Sequence, residues 1–252
     1  MPEGDEVTVV VVSRTGDVMC LCRMSGEVCI RGSVSGKALW TKLSDVHKAP
    51  VIAAFFSEDQ SVVVAIDARG HAVAFRTIDG EQVAKFSLRL PGPATSIHAT
   101  DKLIAAAGDG FVETSRVVWE EGPGVDVPKL KRGSHVDLDG VDKVVVLGES
   151  WVLVLAEDLH LLSGKDSQLV GTGICGPCSV RVGGHHVLVG TQSGHLVRID
   201  PRELAPTHMI DIASALGPRS ESDASVSVLS VMENNVAVAC KGCFVEVDVM
   251  RV

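Results

Sequence analysis

A strand–turn–strand unit recurs six times along the chain. In each unit a polar turn precedes an apolar strand, and a short Gly-rich or acidic turn leads to a second strand. The first apolar residues of the six units are Val18, Val62, Leu103, Trp151, Val187 and Val236. They follow one another at steps of 44, 41, 48, 36 and 49 residues, close to the roughly 40–50 residues of a β-propeller blade. The period therefore predicts an all-β, six-bladed β-propeller in which these residues are buried between blades.

Each propeller blade is a four-stranded antiparallel meander, so further strands are expected on both sides of each unit. We predict a single domain over 1–252 with six blades, approximately at 7–44, 50–88, 93–132, 142–172, 178–212 and 225–252. The last blade has sequence for three strands only, which gives 23 strands where six full blades need 24. One blade is therefore expected to be incomplete.

One segment departs from the regular pattern of strands. The segment 119–140 reads as a long connection, and its basic cluster, Lys129 to Arg132, is expected to lie in a solvated loop.

An incomplete blade leaves an unpaired edge strand, and such an edge favours pairing with another chain. We therefore expect that a partner protein donates a strand beside 7–13 or 244–250, or that the isolated protein associates with itself. The sequence leaves open a third arrangement, in which 7–13 pairs into the last blade and closes the ring.

Composition restricts the compartment and the class of partner. No apolar run approaches the roughly 18 residues of a membrane helix, so no membrane insertion is expected. The acidic start lacks the basic region of a signal peptide, and seven cysteines, an odd number, indicate a reducing compartment. These features predict a cytoplasmic or nuclear protein. A net charge of −9 argues against nucleic acid as a partner.

The segment 47–83, HKAPVIAAFFSEDQSVVVAIDARGHAVAFRTIDGEQV, resembles a WD repeat. His47 stands where that family has the His of its Gly-His dipeptide, and Asp67 matches the acidic residue of the turn between the second and third strands. FRTIDGE aligns with the Trp-Asp segment, which places Phe75 at the Trp position. The resemblance implies a buried hydrogen bond between His47 and Asp67, and structural roles for His47, Asp67 and Phe75.

Resemblance to this family also implies a function. WD-like propellers are rigid interaction platforms, so we expect a non-catalytic scaffold subunit of a larger intracellular complex, with other proteins as partners and no cofactor. The predicted inner strands offer His98 and Arg181 but no paired carboxylates and no Ser/His/Asp set, the groups that acid–base or nucleophilic catalysis needs. The alternative comes from SGKALW (35–40), which resembles the repeat ending of quinoprotein-type propellers. That likeness implies a cofactor-binding or lactonase-type enzyme.

Two Cys-x-x-Cys pairs, at 175–178 and 240–243, could bring four thiols together. Four thiolates can bind zinc tetrahedrally, whereas buried or turn thiols need no metal. The sequence leaves both readings open for Cys175, Cys178, Cys240 and Cys243, and we expect no metal site. CGPC is also the motif of thioredoxin-like redox proteins, but the alternating sequence after it predicts a strand and not the helix that stabilises a thiolate.

Overall fold

The structure is a computed structural model. It describes residues 6–43, 45–163, 169–183, 186–200, 205–212, 226–232, 235–240 and 243–248. These residues form 23 β-strands in six sheets, five of four strands and one of three. In every sheet each strand lies beside the next strand of the chain, as expected for a series of antiparallel meanders.

The first three sheets follow the predicted blades closely. The strands of the first sheet are β1 (Val7–Val12), β2 (Val18–Arg23), β3 (Glu27–Gly32) and β4 (Ala38–Leu43). Those of the second sheet are β5 (Val51–Phe56), β6 (Val62–Asp67), β7 (His71–Arg76) and β8 (Gln82–Ser87). Those of the third sheet are β9 (Ala94–Ala99), β10 (Leu103–Gly108), β11 (Phe111–Glu120) and β12 (Val127–Asp137).

The last three sheets continue the same pattern. The strands of the fourth sheet are β13 (Lys143–Leu147), β14 (Trp151–Leu155), β15 (Asp158–Ser163) and β16 (Leu169–Cys175). Those of the fifth sheet are β17 (Pro177–Gly183), β18 (His186–Thr191), β19 (His195–Asp200) and β20 (Ala205–Asp211). The sixth sheet has three strands within the described residues, β21 (Val226–Met232), β22 (Asn235–Cys240) and β23 (Cys243–Asp248).

The central strands of the second and third sheets are buried along their whole length. All six residues of β6 and all six of β10 are buried, which agrees with the Val- and Ala-rich composition of strands covered on both faces. One apolar cluster joins the first and second sheets, and another joins the second and third. The predicted marker residues Val62, Leu103 and Val187 are buried, whereas Val18 and Trp151 are half-buried. The side chain of the sixth marker, Val236, lies outside the part of the structure that is described.

The predicted loop in 119–140 is wrong over most of its length. β11 extends to Glu120, and β12 continues past the predicted end of the blade at 132 to Asp137. The two strands form a long hairpin, in which Trp119 pairs with Pro128 and Glu120 with Val127. The cluster Lys129 to Arg132 therefore lies in a strand. β12 is the outer strand of its sheet, which explains why it tolerates a proline that cannot donate a backbone hydrogen bond.

The chain divides into two compact units, one of Met1–Val152 with Ser163–Ser167 and the other of Leu153–Leu162 with Gln168–Val252. The first three sheets belong to the first unit. The prediction of a single domain over 1–252 stays a prediction. Among the described residues there is no helix that is both apolar and long enough to cross a membrane.

Candidate functional site

Asp67 organises the turn between β6 and β7. Its side chain is fully buried, and its Oδ1 accepts hydrogen bonds from the backbone N–H groups of Arg69 and His71, both at 2.9 Å. Its Oδ2 accepts one from Lys48 N at 3.0 Å and lies 3.2 Å from His71 Nδ1. A buried carboxylate is stable when its oxygens are satisfied in this way. Asp67 thereby joins the turn to the segment that leads into β5.

His47 lies beside this carboxylate without a direct hydrogen bond. Its Nδ1 is 3.8 Å from Asp67 Oδ2, and within the described part of the chain neither ring nitrogen has a hydrogen-bond partner. Burial lowers the pKa of His47, an effect that the nearby Asp67 charge partly offsets. The ring is therefore neutral near pH 7. The hydrogen bond that the WD resemblance implied is made by His71, while the structural roles of His47 and Asp67 remain predictions.

Phe75 packs against an aromatic residue of the neighbouring sheet. It is 3% exposed, and its ring centroid lies 5.6 Å from that of Trp40, with the two planes tilted by 48°. Trp40 in turn donates a hydrogen bond from Nε1 to Thr77 O at 2.8 Å. This tilted geometry is favourable for aromatic pairs and links β4 to the second sheet. The position of Phe75 is compatible with the predicted structural role.

The inner strand β9 carries the polar side chains that an enzyme could have used. Ser96 Oγ accepts a hydrogen bond from Val144 N, and His98 Nδ1 accepts one from Val146 N, each at 3.1 Å. Burial, and to a lesser degree the Lys143 charge, lower the pKa of His98. Both side chains thus connect β9 to the neighbouring strand β13 by accepting hydrogen bonds from its backbone, which is a structural role.

The cysteines that the structure describes are free thiols. Cys20 and Cys22 are buried with their sulfur atoms 3.8 Å apart, and the hydrogen bond to Cys22, followed by burial, raises the pKa of the Cys20 thiol. Cys175 is exposed at the end of β16, and its pKa is raised mainly by a hydrogen bond to Asp158.

The CGPC segment runs from β16 into β17, so Cys175 has no helix N-terminus to stabilise its thiolate. No group of three or more potential metal ligands occurs among the described residues. The side chains of Cys178, Cys240 and Cys243 lie outside the part of the structure that is described. The four-thiol zinc arrangement therefore stays a hypothesis.

A groove lies between the second and third sheets, with a volume of about 640 Å³. Its two lips are the edge strands of those sheets, β8 on one side and β12 on the other. The floor is apolar and is formed by the buried side chains of Leu88, Ile104 and Ala106. Phe86, Leu90 and Leu130 are partly buried residues that complete its walls. We call this feature the basic groove because of the charges on its rim.

Four basic residues line the basic groove: Lys85, Arg89, Lys129 and Arg132. All four are exposed. Lys129 Nζ lies 2.5 Å from a carboxylate oxygen of Glu120, an exposed pair of little energetic value. Lys85 and Arg89 make no ion pair with any described residue. This concentration of positive charge contrasts with the net charge of −9 for the chain.

One acidic residue, Glu113, lines the same groove. Its Oε1 lies 2.8 Å from His135 Nδ1 and 3.9 Å from a guanidinium nitrogen of Arg132. His135 Nε2 lies 3.2 Å from Asp137 Oδ1. The carboxylate is therefore already engaged on its own hairpin.

The sequence did not predict the basic groove, because it forms only when two sheets pack together. One signal was present: Pro128, Leu130 and Arg132 alternate with Lys129 and Lys131 at the period of a strand. Of these residues, Leu130 packs against the apolar cluster that joins the second and third sheets. The segment 119–140 as a whole departs from the regular spacing of the other blades, which is why the sequence pattern indicates a loop there.

Comparisons with known proteins identify the fold. No family model matches the sequence, and no curated protein matches it. Among solved structures, the chain is similar to U3-55K, with a TM-score of 0.64 and 12% identity over 98% of this chain and 78% of that one. It is equally similar to the WD40 repeats of RRP9, with the same TM-score and identity over 98% and 77% of the two chains.

These similarities confirm the predicted fold class. The chain is all-β and has the WD40-type β-propeller fold, built from four-stranded antiparallel sheets. As many as 1613 chains of solved structures match this fold, so the fold by itself selects no function. Function has to be argued from surfaces such as the basic groove.

Proposed function

We propose that this protein is a non-catalytic, WD-like β-propeller that binds other proteins as a scaffold subunit of a larger intracellular complex. The observation that carries the proposal is the basic groove, an apolar recess with a charged rim between two sheet edges. Apolar floors surrounded by polar rims are typical of protein-binding surfaces. The WD40-type fold is compatible with this role.

Three further parts of the proposal rest on the sequence and the structure together. The free thiols of Cys20, Cys22 and Cys29 support a reducing compartment, and hence the cytoplasm or nucleus. The network around Asp67 supports the assignment of 47–83 as a WD-like repeat with structural roles for His47, Asp67 and Phe75. We also propose that a partner adds a strand beside 7–13 or 244–250, since β1 and, within the part of the chain that the structure describes, β23 are edge strands of their sheets.

Native size fractionation tests the scaffold role. The chain has a mass of 26.5 kDa, so a tagged copy expressed in its source cells is expected to elute well above that mass in a fresh lysate. Elution as a monomer at physiological concentration would contradict the proposal. Hydrogen exchange of the purified chain and of the isolated complex then tests strand addition, because protection at 244–250 or 7–13 should rise only in the complex.

A further inference from the structure

We infer that the basic groove takes an extended, acidic segment of a partner protein, with an apolar side chain as its anchor. This inference rests on the proposed function and adds the chemistry of the partner. It combines the shape of the recess, the identity of its edge strands and the sign of its charge.

Small residues create the recess. Ala84 on β8 and Ala106 on β10 both line the groove, at positions where longer side chains would close the space between the two sheets. Ala106 is part of the floor, and the other floor residues, Leu88 and Ile104, are also buried and aliphatic, so water in the recess has few polar partners. An apolar side chain from a partner would displace that water with a gain in free energy.

The lips of the groove favour an extended segment. An edge strand has backbone N–H and C=O groups on its outer side that its own sheet does not use, and a peptide can add to such an edge. β12 contains Pro128, which has no N–H to donate. β8 has no proline. The incoming segment is therefore placed along β8, where Lys85 and Arg89 flank the recess.

Charge selects an acidic partner. Four basic residues and one carboxylate line the groove, and that carboxylate, Glu113, is already engaged by His135. Aspartate or glutamate residues on either side of the anchor would meet Lys85, Arg89 and Lys129. A residue placed directly beside Glu113 should be uncharged, because an acidic one would be repelled by that carboxylate. On a chain with a charge of −9, this local positive region also steers an acidic partner to one place.

Nucleic acid shares the negative charge but fits the groove less well. Single-stranded nucleic acid needs exposed aromatic faces on which bases can stack. The one aromatic side chain that lines the groove, Phe86, is part of the packed wall. An aliphatic floor and a net negative protein favour a protein segment.

Peptide selection on the intact chain tests this inference. A displayed library of random short peptides is selected on the wild type, and the best peptide is labelled for fluorescence polarisation. We expect a consensus with one large apolar residue flanked by Asp and Glu. We also expect affinity to fall steeply between about 50 and 500 mM NaCl, because the rim contacts are exposed.

Three variants make the test specific. Lys85→Glu with Arg89→Glu reverses the rim charge and should weaken the selected peptide at least about tenfold. Ala84→Leu fills the recess without changing charge and should weaken it to a similar degree. The control, Arg14→Glu with Lys37→Glu, makes the same change in net charge at exposed residues in the turns of the first sheet and should change affinity less than about twofold.

Several outcomes would overturn the inference. These are the absence of an enriched consensus, an enriched consensus that is basic or uncharged, equal binding to the rim variant and the control, or tighter binding of a short oligo(U) RNA than of any peptide. The proposed function is judged separately by native fractionation. Absence of a large complex for the wild type would refute the scaffold role, whereas a large complex that persists in the Lys85/Arg89 variant would refute only the groove inference.

Discussion

Replacement of Asp67 by alanine should strongly destabilise the first unit. The carboxylate accepts hydrogen bonds from three backbone N–H groups and lies 3.2 Å from a ring nitrogen of His71. A hydrogen bond to a charged group contributes about 1.5–3 kcal/mol. Alanine removes all of them, but Lys48 and Arg69 are exposed, so water can satisfy part of the loss. We expect a decrease of about 3–5 kcal/mol in the free energy of unfolding.

Replacement of Asp67 by asparagine distinguishes the contribution of Oδ1 to stability from that of Oδ2. Its amide oxygen can take the place of Oδ1 and keep the bonds from Arg69 N and His71 N. Its amide NH₂ group would replace Oδ2 and face Lys48 N, another donor. One backbone bond is lost and two are kept, so Asp67→Asn should cost about 1–3 kcal/mol, clearly less than Asp67→Ala.

Urea unfolding followed by tryptophan fluorescence and circular dichroism measures these differences. Asp109→Asn is the matched control, because Asp109 is exposed and should change stability by less than about 0.5 kcal/mol. Two results would refute the reasoning: an alanine variant within about 1 kcal/mol of the wild type, or an asparagine variant as unstable as the alanine one.

Three further predictions concern the same unit. Gly16→Ala and Gly70→Ala both place a Cβ at positive φ, but only at Gly70 would it lie 2.9 Å from another side chain. In thermal unfolding, the free energy of unfolding should therefore be about 1–2 kcal/mol lower in the Gly16 variant than in the wild type, and lower still in the Gly70 variant. Burial lowers the pKa of His47 below 6.5, so the unfolded chain takes up a proton at this residue more readily than the folded chain does. The stability that the neutral His47 ring provides is therefore complete above that pH and is lost as the pH falls. The free energy of unfolding should decrease from about pH 7 to 5.5, and the decrease should be smaller in His47→Gln. Phe75→Ala should cost about 3–5 kcal/mol in urea unfolding and shift Trp40 emission to the red.

The sequence was sufficient to predict the sheets but not how polar groups are shared between elements. The period of apolar strands and Gly turns predicted 23 strands in six sheets, and the described residues contain them, because strand formation depends on local alternation. The turn at Asp67 shows the limit. The pattern DARGH contains its own hydrogen-bond partner, His71, four residues along the chain. Family resemblance drew attention to His47 instead, which is close in space but lacks the hydrogen bond.

The basic groove was beyond prediction for a related reason. Its chemistry comes from β8, β10, β11 and β12, four strands of two sheets, and sequence alternation indicates which face of a strand is buried but not what lies opposite. In β12 the charges of Lys129, Lys131 and Arg132 masked the period-two pattern. A strand whose exposed face is highly charged reads as a loop unless the pairing with β11 is known.

The turn at Asp67 and the basic groove are physically connected through Gly70. Gly70 O accepts a hydrogen bond from Leu88 N at 2.9 Å, and a Cβ on Gly70 would lie 2.9 Å from Leu88 Cβ and 3.1 Å from Leu90 Cδ1. Leu88 forms the floor of the groove and Leu90 part of its wall. The conformation that Asp67 imposes on its turn therefore fixes the position of two groove residues. Gly70→Ala should thus weaken the selected acidic peptide in addition to lowering stability, whereas Gly16→Ala, which has open space around its Cβ, should lower stability alone. Equal peptide affinity in both variants would show that the turn and the groove are independent.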